Sequence, residues 1–205
     1  MNDALAAAVV HDLKNALVSL ASSAQGIAER SVGTELETET GGLHVAAVSL
    51  AQRLAAFLTL YRSGQAGLAV RLCDHTPDEF LRDVVAGLVL PPDAVPINTS
   101  DGDASPAFWF FDDYLTRMAL EAALSNALRF ARNRIDLACS LRDGFLVFSV
   151  ADDGPGLGAQ GSPSTGLGTA ICEAIARAHT NGARSGKVAL QNRPEGGALF
   201  ELWLP

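Results

Sequence analysis

The segment Val150-Ala151-Asp152-Asp153-Gly154-Pro155-Gly156 is the most informative one for the fold of this chain. It completes an apolar run that begins at Phe145 after the turn Arg142-Asp143-Gly144, and a short apolar run bounded by turn residues predicts a β-strand. The glycines and the proline after Asp153 predict a tight loop at the end of that strand. The segment therefore places two carboxylates at a strand end, beside backbone that can approach a neighbouring group closely because Gly154 and Gly156 have no Cβ.

Further strands and helices are predicted on both sides of this segment. Strands are expected where apolar residues alternate or cluster between turn residues, at Leu68–Cys73, Val95–Thr99, Ala107–Phe111, Arg134–Leu141, Phe145–Ala151, Lys187–Gln191 and Ala198–Leu204. Helices are expected from Thr76-Pro77 to a stop at Pro91-Pro92, over Asp113–Ala131 and over Thr169–His179. The turn Asp101-Gly102-Asp103 separates the second and third strands, and the last four strands form two hairpins. This mixture predicts an α+β fold, an α/β sandwich with helices on one face of a sheet.

Residues 1–62 differ from the rest because they carry two apolar seams with alternating steps of four and three residues. The seams are formed by Ala6, Val10, Leu13, Leu17, Leu20, Ala24 and Ile27, and by Leu43, Ala47, Leu50, Leu54, Phe57 and Tyr61. This spacing predicts two helices, joined by a turn over Val32–Gly42. Because a two-helix hairpin buries little apolar surface, we expect two copies to form a four-helix bundle. The expected domains are this hairpin, residues 1–64, and a second domain, residues 68–205.

His11 lies beside the first seam, directly after Val10. A lone histidine at such a position is most often an ordinary surface residue of a helix. Its neighbours favour chemistry, because Asp12 can accept the proton of one ring nitrogen and leave the other nucleophilic. Asn15 is one turn along on the same helical face, where its amide can orient a water molecule.

The motif His11-Asp12-Leu13-Lys14-Asn15 resembles the H-box of sensor histidine kinases, at the matching place in a dimerising helical hairpin. The resemblance implies that His11 accepts a phosphoryl group and that Asp12 acts as its general base. It also implies that Asn15 supports the reverse reaction, the removal of phosphate from a partner aspartate.

The C-terminal motifs resemble the ATP-binding domain of the same family, which has the GHKL or Bergerat fold. The segment 121–130 is similar to the N-box, 150–156 to the G1 box and 165–171 to the G2 box, and Gly196-Gly197-Ala198-Leu199-Phe200-Glu201-Leu202 follows in the expected order. The resemblance covers the chain from about Ala4 to Pro205.

By this resemblance the domain binds ATP and Mg²⁺. Asn126 would coordinate the Mg²⁺ ion, Arg129 would face the phosphates, and Asp152 would accept a hydrogen bond from the adenine amino group. The glycines that would let the backbone pass close to the nucleotide are Gly154, Gly156, Gly166 and Gly168.

The sequence departs from the family pattern in two places. Ala122 occupies a position where the family usually has a second Asn. The lid, Leu157–Ser164, is short and lacks the phenylalanine-containing F-box of most members.

We expect a cytoplasmic, homodimeric histidine kinase core that phosphorylates His11 from Mg-ATP and transfers the group to an aspartate in a response-regulator receiver domain. No sensor, HAMP or transmembrane region precedes His11 in this chain, so a separate sensor protein is a further expected partner. One alternative is a histidine phosphotransferase or phosphatase with a degenerate ATP site, which Ala122 and the short lid favour. Another is a GHKL regulator that sequesters a partner protein and uses ATP as a switch.

Composition narrows the classes of partner. The chain has 205 residues, with 15 Lys and Arg against 23 Asp and Glu, and its net charge of −8 argues against nucleic acid or an anionic membrane. Cys73, Cys139 and Cys172 fit neither a metal site nor a disulfide framework, which predicts a reducing compartment. No uninterrupted apolar run reaches the roughly 18 residues of a membrane span. The opening Met1-Asn2-Asp3 lacks the basic segment of a secretory signal.

Overall fold

The computed structural model describes residues 2–66, 68–91, 93–100, 105–158 and 166–205. In the helical hairpin, the side chains that it describes are those of residues 12–13, 15–58 and 61. The chain divides into two compact units, Met1–Thr59 with Val89–Ala94, and Leu60–Leu88 with Val95–Pro205.

Two long helices, α1 (Asn2–Ser31) and α2 (Glu37–Ala66), form the N-terminal hairpin. The turn predicted over Val32–Gly42 is too long, because α2 already begins at Glu37. The Glu37 carboxylate accepts a hydrogen bond from the N–H of Gly33 at 2.7 Å, and acidic residues in the first turn are favourable at the positive end of the helix dipole. These interactions outweigh the low helix propensity of the glycines that follow.

Several large apolar side chains of the hairpin are exposed, whereas Ala24, Ala47, Ala56 and Leu58 are buried. Three exposed residues recur at steps of seven on each helix, with exposed fractions between 40% and 53%: Leu13, Leu20 and Ile27 on α1, and Leu43, Leu50 and Phe57 on α2. We refer to these two sets as the α1 stripe and the α2 stripe. All six residues belong to the predicted seams.

Among the described helices, α2 contains one segment, Glu37–Leu58, that is long and apolar enough to cross a membrane by length and composition. Sequence inspection missed it because polar residues interrupt the apolar run.

Within its described residues, the C-terminal unit contains a five-stranded sheet, two two-stranded sheets and the helices α3 to α5. Its elements are β1 (Cys73–His75), α3 (Pro77–Ala86), β2 (Ile97–Ser100), β3 (Trp109–Phe111), α4 (Asp113–Phe130), β4 (Ile135–Arg142), β5 (Phe145–Asp152), α5 (Leu167–Ala178), β6 (Thr180–Asn181), β7 (Arg184–Ser185), β8 (Lys187–Asn192) and β9 (Ala198–Leu204). The sheet order is β2-β4-β5-β9-β8, in which β2 is parallel to β4 and the other pairs are antiparallel. The predicted α+β class and both predicted hairpins, β4–β5 and β8–β9, are confirmed.

Several local predictions are wrong in their bounds. The second strand is Ile97–Ser100 rather than Val95–Thr99, and α5 is Leu167–Ala178 rather than Thr169–His179. The first strand is Cys73–His75 rather than Leu68–Cys73, and it pairs with the distant β3 in a small separate sheet. The third strand is only Trp109–Phe111. Helix α3 begins after Thr76 as predicted but ends before Gly87, well short of the two prolines. The turn predicted at residues 101–103 lies outside the described residues.

The core of this unit lies between the sheet and its helices. Most of β5 is buried, including Leu146, Val147, Phe148 and Val150, and the strand contacts α4. Leu120 and Leu124 of α4 are fully buried on the same interface.

A buried polar cluster joins the start of α4 to the end of α5. Asp112 caps α4 by accepting the N–H of Leu115 at 2.9 Å, and its other oxygen accepts the N–H of Arg71 at 2.8 Å. The N–H of Asp112 donates to Nε2 of His179 at 3.1 Å. Nδ1 of His179 therefore carries the proton and donates to the carbonyl oxygen of Ile175 at 2.8 Å. Burial lowers the pKa of His179, so the neutral ring is the native form.

Candidate functional site

A cavity of about 450 Å³ lies within the C-terminal unit, between α4, the end of β5, the start of α5 and the β8–β9 hairpin. Such a volume with mostly apolar walls and a few polar groups is typical of a small-molecule site. The cavity is lined by Ala122, Ala123, Asn126, Ala127, Phe130, Val150, Asp152, Pro155, Gly156, Leu157, Gly158, Gly168, Thr169, Cys172, Leu190, Ala198 and Phe200.

Asp152 is the acidic residue of the cavity wall, and only 8% of it is exposed. Its Oδ1 accepts the N–H of Gly154 at 2.8 Å and the N–H of Ala198 at 3.3 Å. None of the described residues donates a hydrogen bond to Oδ2. The carboxylate is thus fixed through one oxygen, and the other is left to accept a hydrogen bond from a ligand.

Two glycines close to Asp152 are required by packing. A Cβ at Gly154 would clash with the carbonyl oxygen of Phe130, at the end of α4. A Cβ at Gly197, whose φ is +91°, would clash with the carbonyl oxygen of Asp152. Glycine is required at both positions because any side chain would force these backbone segments apart.

The start of α5 forms another part of the cavity wall, at Gly168 and Thr169. Its N-cap, Gly166, has a left-handed φ of +67°. The amide nitrogen of Asn126 lies 3.7 Å from the position of a Cβ on Gly168, so α4 and the first turn of α5 meet there. The N–H groups of a helix N-terminus are a favourable place for a phosphate.

The predicted residues of this domain fall into two groups. Asn126, Asp152, Gly156 and Gly168 line the cavity, whereas Gly154, Gly166 and Arg129 do not. Arg129 is exposed in the last turn of α4, and its guanidinium lies 5.2 Å from the centre of the Phe130 ring. Phe130 is a residue of the cavity wall.

The predicted residues of the hairpin lie on α1. Asp12 and Asn15 are exposed. The side chains of His11 and Lys14, and the part of the predicted lid that covers residues 159–164, lie outside the described residues.

The described residues contain no group of three or more His, Cys, Asp and Glu side chains that could hold a metal ion. Ala122 lines the cavity, so its position contributes no carboxamide. Asn126 therefore remains the predicted metal ligand.

Sequence inspection missed two residues around Asp152. Asp153 accepts hydrogen bonds from the N–H groups of Asn133 at 3.0 Å and Arg132 at 2.8 Å. These bonds hold the pKa of Asp153 well below its usual range, and the bond from Asn133 has the largest effect. Its position directly after a strand end was the available signal for such a loop contact. Cys172 lines the cavity, and burial raises the pKa of its thiol to about 12, so it stays protonated.

Residues 112–205 match the family model described as histidine kinase-, DNA gyrase B-, and HSP90-like ATPase. We refer to this region, which is slightly less than half of the chain, as the ATPase domain. The ATPase domain thus includes α4, β5, α5, β8 and β9, the elements that line the cavity.

Part of the chain is also similar to curated sensor proteins. The sensor histidine kinase CpxA of Escherichia coli strain K12 is 30% identical over 105 residues, which cover 42% of this chain and 22% of CpxA. The sensor protein CpxA of E. coli O157:H7 matches to the same extent. The chain thus spans about a fifth of the length of these relatives.

Solved structures show the same fold beyond the ATPase domain. Full-length ShkA in complex with AMPPNP has a TM-score of 0.67 at 23% identity and covers 97% of this chain and 45% of ShkA. The histidine kinase AdeS of Acinetobacter baumannii has a TM-score of 0.59 at 19% identity and covers 95% of this chain and 96% of that one. Together with the family match, these similarities support a histidine kinase catalytic core and confirm the family that the motifs predicted.

Proposed function

We propose that this chain is a histidine kinase core that binds Mg-ATP in the cavity, phosphorylates His11 and transfers the phosphoryl group to an aspartate of a receiver domain. The observation that carries the proposal is the cavity built around Asp152 in a domain of the ATPase family.

The cavity fits ATP by its chemistry. Oδ2 of Asp152 would accept a hydrogen bond from the 6-amino group of adenine, and Val150 and Phe200 provide apolar wall for the ring. The N-terminus of α5 would receive the phosphates, at Gly168 and Thr169. The complex of the related ShkA with AMPPNP supports this assignment.

Mg²⁺ fits the site with one protein ligand, the carboxamide oxygen of Asn126. This ion usually retains several water molecules and binds through phosphate oxygens together with one or two side chains. When bound, it would neutralise charge on the phosphates.

The proposed transfer has two steps. The unprotonated ring nitrogen of His11 attacks the γ-phosphorus, so a P–N bond forms and the P–O bond to ADP breaks. Asp12 holds the proton on the other ring nitrogen. A carboxylate of the receiver domain then attacks the same phosphorus, and the P–N bond breaks. Positioning and electrostatics supply most of the rate in such reactions.

We propose that residues 1–64 form the dimerising unit and residues 68–205 the catalytic domain. The α1 and α2 stripes support a homodimer, because each places a large apolar residue on the surface at every second turn. Such a pattern is typical of a helix that packs against other helices. A second copy would bury both stripes in a four-helix bundle.

The test is incubation of the purified protein with γ-labelled ATP and Mg²⁺. We expect a label that is acid-labile and alkali-stable, and its loss in His11→Gln. His44→Gln is the matched control, because His44 is the other histidine of the hairpin. Label that persists in His11→Gln would contradict the proposal.

A second function is phosphotransfer without autophosphorylation. Ala122 favours it, because among the described residues that line the cavity Asn126 is then the carboxamide available to hold the metal ion. In that case ATP would give no label. A phosphorylated receiver domain would nevertheless transfer its phosphate to wild-type protein and not to His11→Gln.

A further inference from the structure

Arg193 follows β8 and lies in the turn between β8 and β9. Only 14% of its side chain is exposed, although it carries a full charge. Its Nη1 donates to the carbonyl oxygen of Asp152 at 3.0 Å, and its Nη2 pairs with the Glu195 carboxylate at 2.5 Å. The turn itself is closed by a hydrogen bond from the N–H of Arg193 to the carbonyl oxygen of Gly197 at 3.0 Å. A guanidinium with two directed bonds is held in one geometry.

The pairing of β5 with β9 stops one residue before Asp152. The last pair of the β5–β9 ladder is Ala151 with Leu199. One residue further, the N–H of Ala198 donates to the side-chain oxygen Oδ1 of Asp152. The carboxylate therefore takes the donor that would otherwise continue the ladder.

On the other side of β5, strand β4 does not donate its N–H group to the Asp152 carbonyl oxygen either. Ile135 is the β4 residue opposite Asp152, but its N–H donates to the carbonyl oxygen of Pro96 at 3.0 Å. The Arg193 guanidinium is thus the donor that the structure provides to the Asp152 carbonyl. A buried carbonyl without a donor costs free energy, so its peptide unit would be less well fixed without Arg193.

We infer that Arg193 is a positioning residue for base recognition: it fixes the peptide unit of Asp152 and thereby holds Oδ2 where the 6-amino group of adenine binds. The inference rests on the proposed function of the cavity. Gly197 contributes to the same arrangement, because its lack of a Cβ lets the start of β9 lie directly against the Asp152 carbonyl.

The experiment compares two nucleotides that differ only in the group that Asp152 would recognise. Affinities for ADP and for purine riboside 5′-diphosphate, which lacks the 6-amino group, are measured by calorimetry on the full chain and on Arg193→Met. We expect Arg193→Met to bind ADP about 10-fold more weakly, the loss of one hydrogen bond to a charged group. Its affinity for the purine analogue should equal that of the wild type, because that ligand makes no bond to Oδ2.

Two further variants complete the design. Arg193→Lys keeps a cation with a donor but not the fork, so its loss for ADP should be smaller than that of Arg193→Met. It also decides the question with the same nucleotide pair if Arg193→Met does not fold. Glu195→Gln removes the charge of the exposed partner and leaves the Asp152 contact, so it should bind ADP as the wild type does.

The failures can be told apart. An equal loss for both nucleotides, or no loss for ADP, in the Arg193 variants overturns the positioning role while the wild type still discriminates between the ligands. A wild-type protein that binds neither nucleotide overturns the proposed function, and the inference with it.

Discussion

The hairpin and the core of the ATPase domain differ in the exposed fraction of their leucines. Leu20 and Leu50 of the hairpin are 51% and 50% exposed, whereas Leu124 and Leu146 of the ATPase domain are fully buried. Both regions carry a regular apolar pattern, so the pattern alone does not say whether a residue is buried within one chain. The ATPase domain buries these leucines within one chain, whereas the hairpin leaves its stripes exposed, as the proposed dimer requires.

The largest effect is expected when leucines of the two hairpin stripes are truncated. Leu20→Ala combined with Leu50→Ala removes one residue from each stripe. If the stripes are buried in a dimer, each truncation costs about 2–5 kcal/mol, so the double variant should be monomeric at micromolar concentration. Light scattering measures the mass directly.

A matched control is available in the C-terminal unit. Leu72→Ala with Leu141→Ala truncates leucines of similar exposure, 49% and 46%, and should leave the mass unchanged. An unmodified protein that is monomeric at the same concentration would show that the stripes do not form a dimer interface.

The second effect tests whether the ATPase domain works as an independent unit. Asp152→Asn keeps an oxygen for the N–H groups of Gly154 and Ala198 but replaces the acceptor Oδ2 by a donor. Nucleotide affinity should fall by about 100-fold or more, because the bond to the adenine amino group is lost and two donors face each other.

Calorimetry with ADP measures this loss, and light scattering should show an unchanged dimer. Asp143→Asn is a control on the turn of the β4–β5 hairpin, and it should bind ADP as the wild type does. Unchanged affinity in Asp152→Asn would exclude the proposed adenine contact.

The sequence predicted the parts of the fold that local patterns determine. The β4–β5 hairpin follows from two apolar runs on either side of the turn at Asp143-Gly144, and the observed strands differ from the predicted ones by one residue at the relevant ends. The cavity residues that belong to the motifs, such as Asp152 and Gly168, were also predicted from local sequence patterns.

Features that depend on distant pairing could not be predicted in this way. The strand β1 exists because Cys73 pairs with Phe111, and no local signal reports that pairing. The contact from Arg193 to the Asp152 carbonyl joins residues far apart in sequence and depends on the register of β8 with β9. Motif reading names residues that meet a ligand, but not those that hold them.

A smaller effect concerns pH and the ATPase domain alone. Burial lowers the pKa of His179, so the unfolded chain binds its proton more readily than the native protein does. The neutral ring stabilises the fold fully above its unfolded pKa of about 6.5, and stability should fall as the pH decreases below that value, with a slope of at most about 1.4 kcal/mol per pH unit.

Denaturant unfolding between pH 7.5 and 5 measures this slope. His179→Gln keeps an acceptor and a donor but does not titrate, so its unfolding free energy should depend less on pH. Equal slopes in the two proteins would assign the acid sensitivity to other groups.

The smallest effect is expected at Asn15, on the exposed face of the hairpin. If its amide orients a water molecule toward the phosphoryl aspartate of a receiver domain, Asn15→Ala should slow the loss of phosphate from that domain several-fold. Transfer from phosphorylated His11 should remain near the wild-type rate, because there the attacking group is the receiver carboxylate and no water is needed. Ser19→Ala, at an exposed polar position one turn further along α1, is the matched control and should change neither rate. The measurement is a time course of labelled receiver decay with each variant. Equal decay with wild type and Asn15→Ala would leave Asn15 as an ordinary polar residue of the helix, whereas slowing of both steps would indicate a disturbed docking surface rather than a lost water.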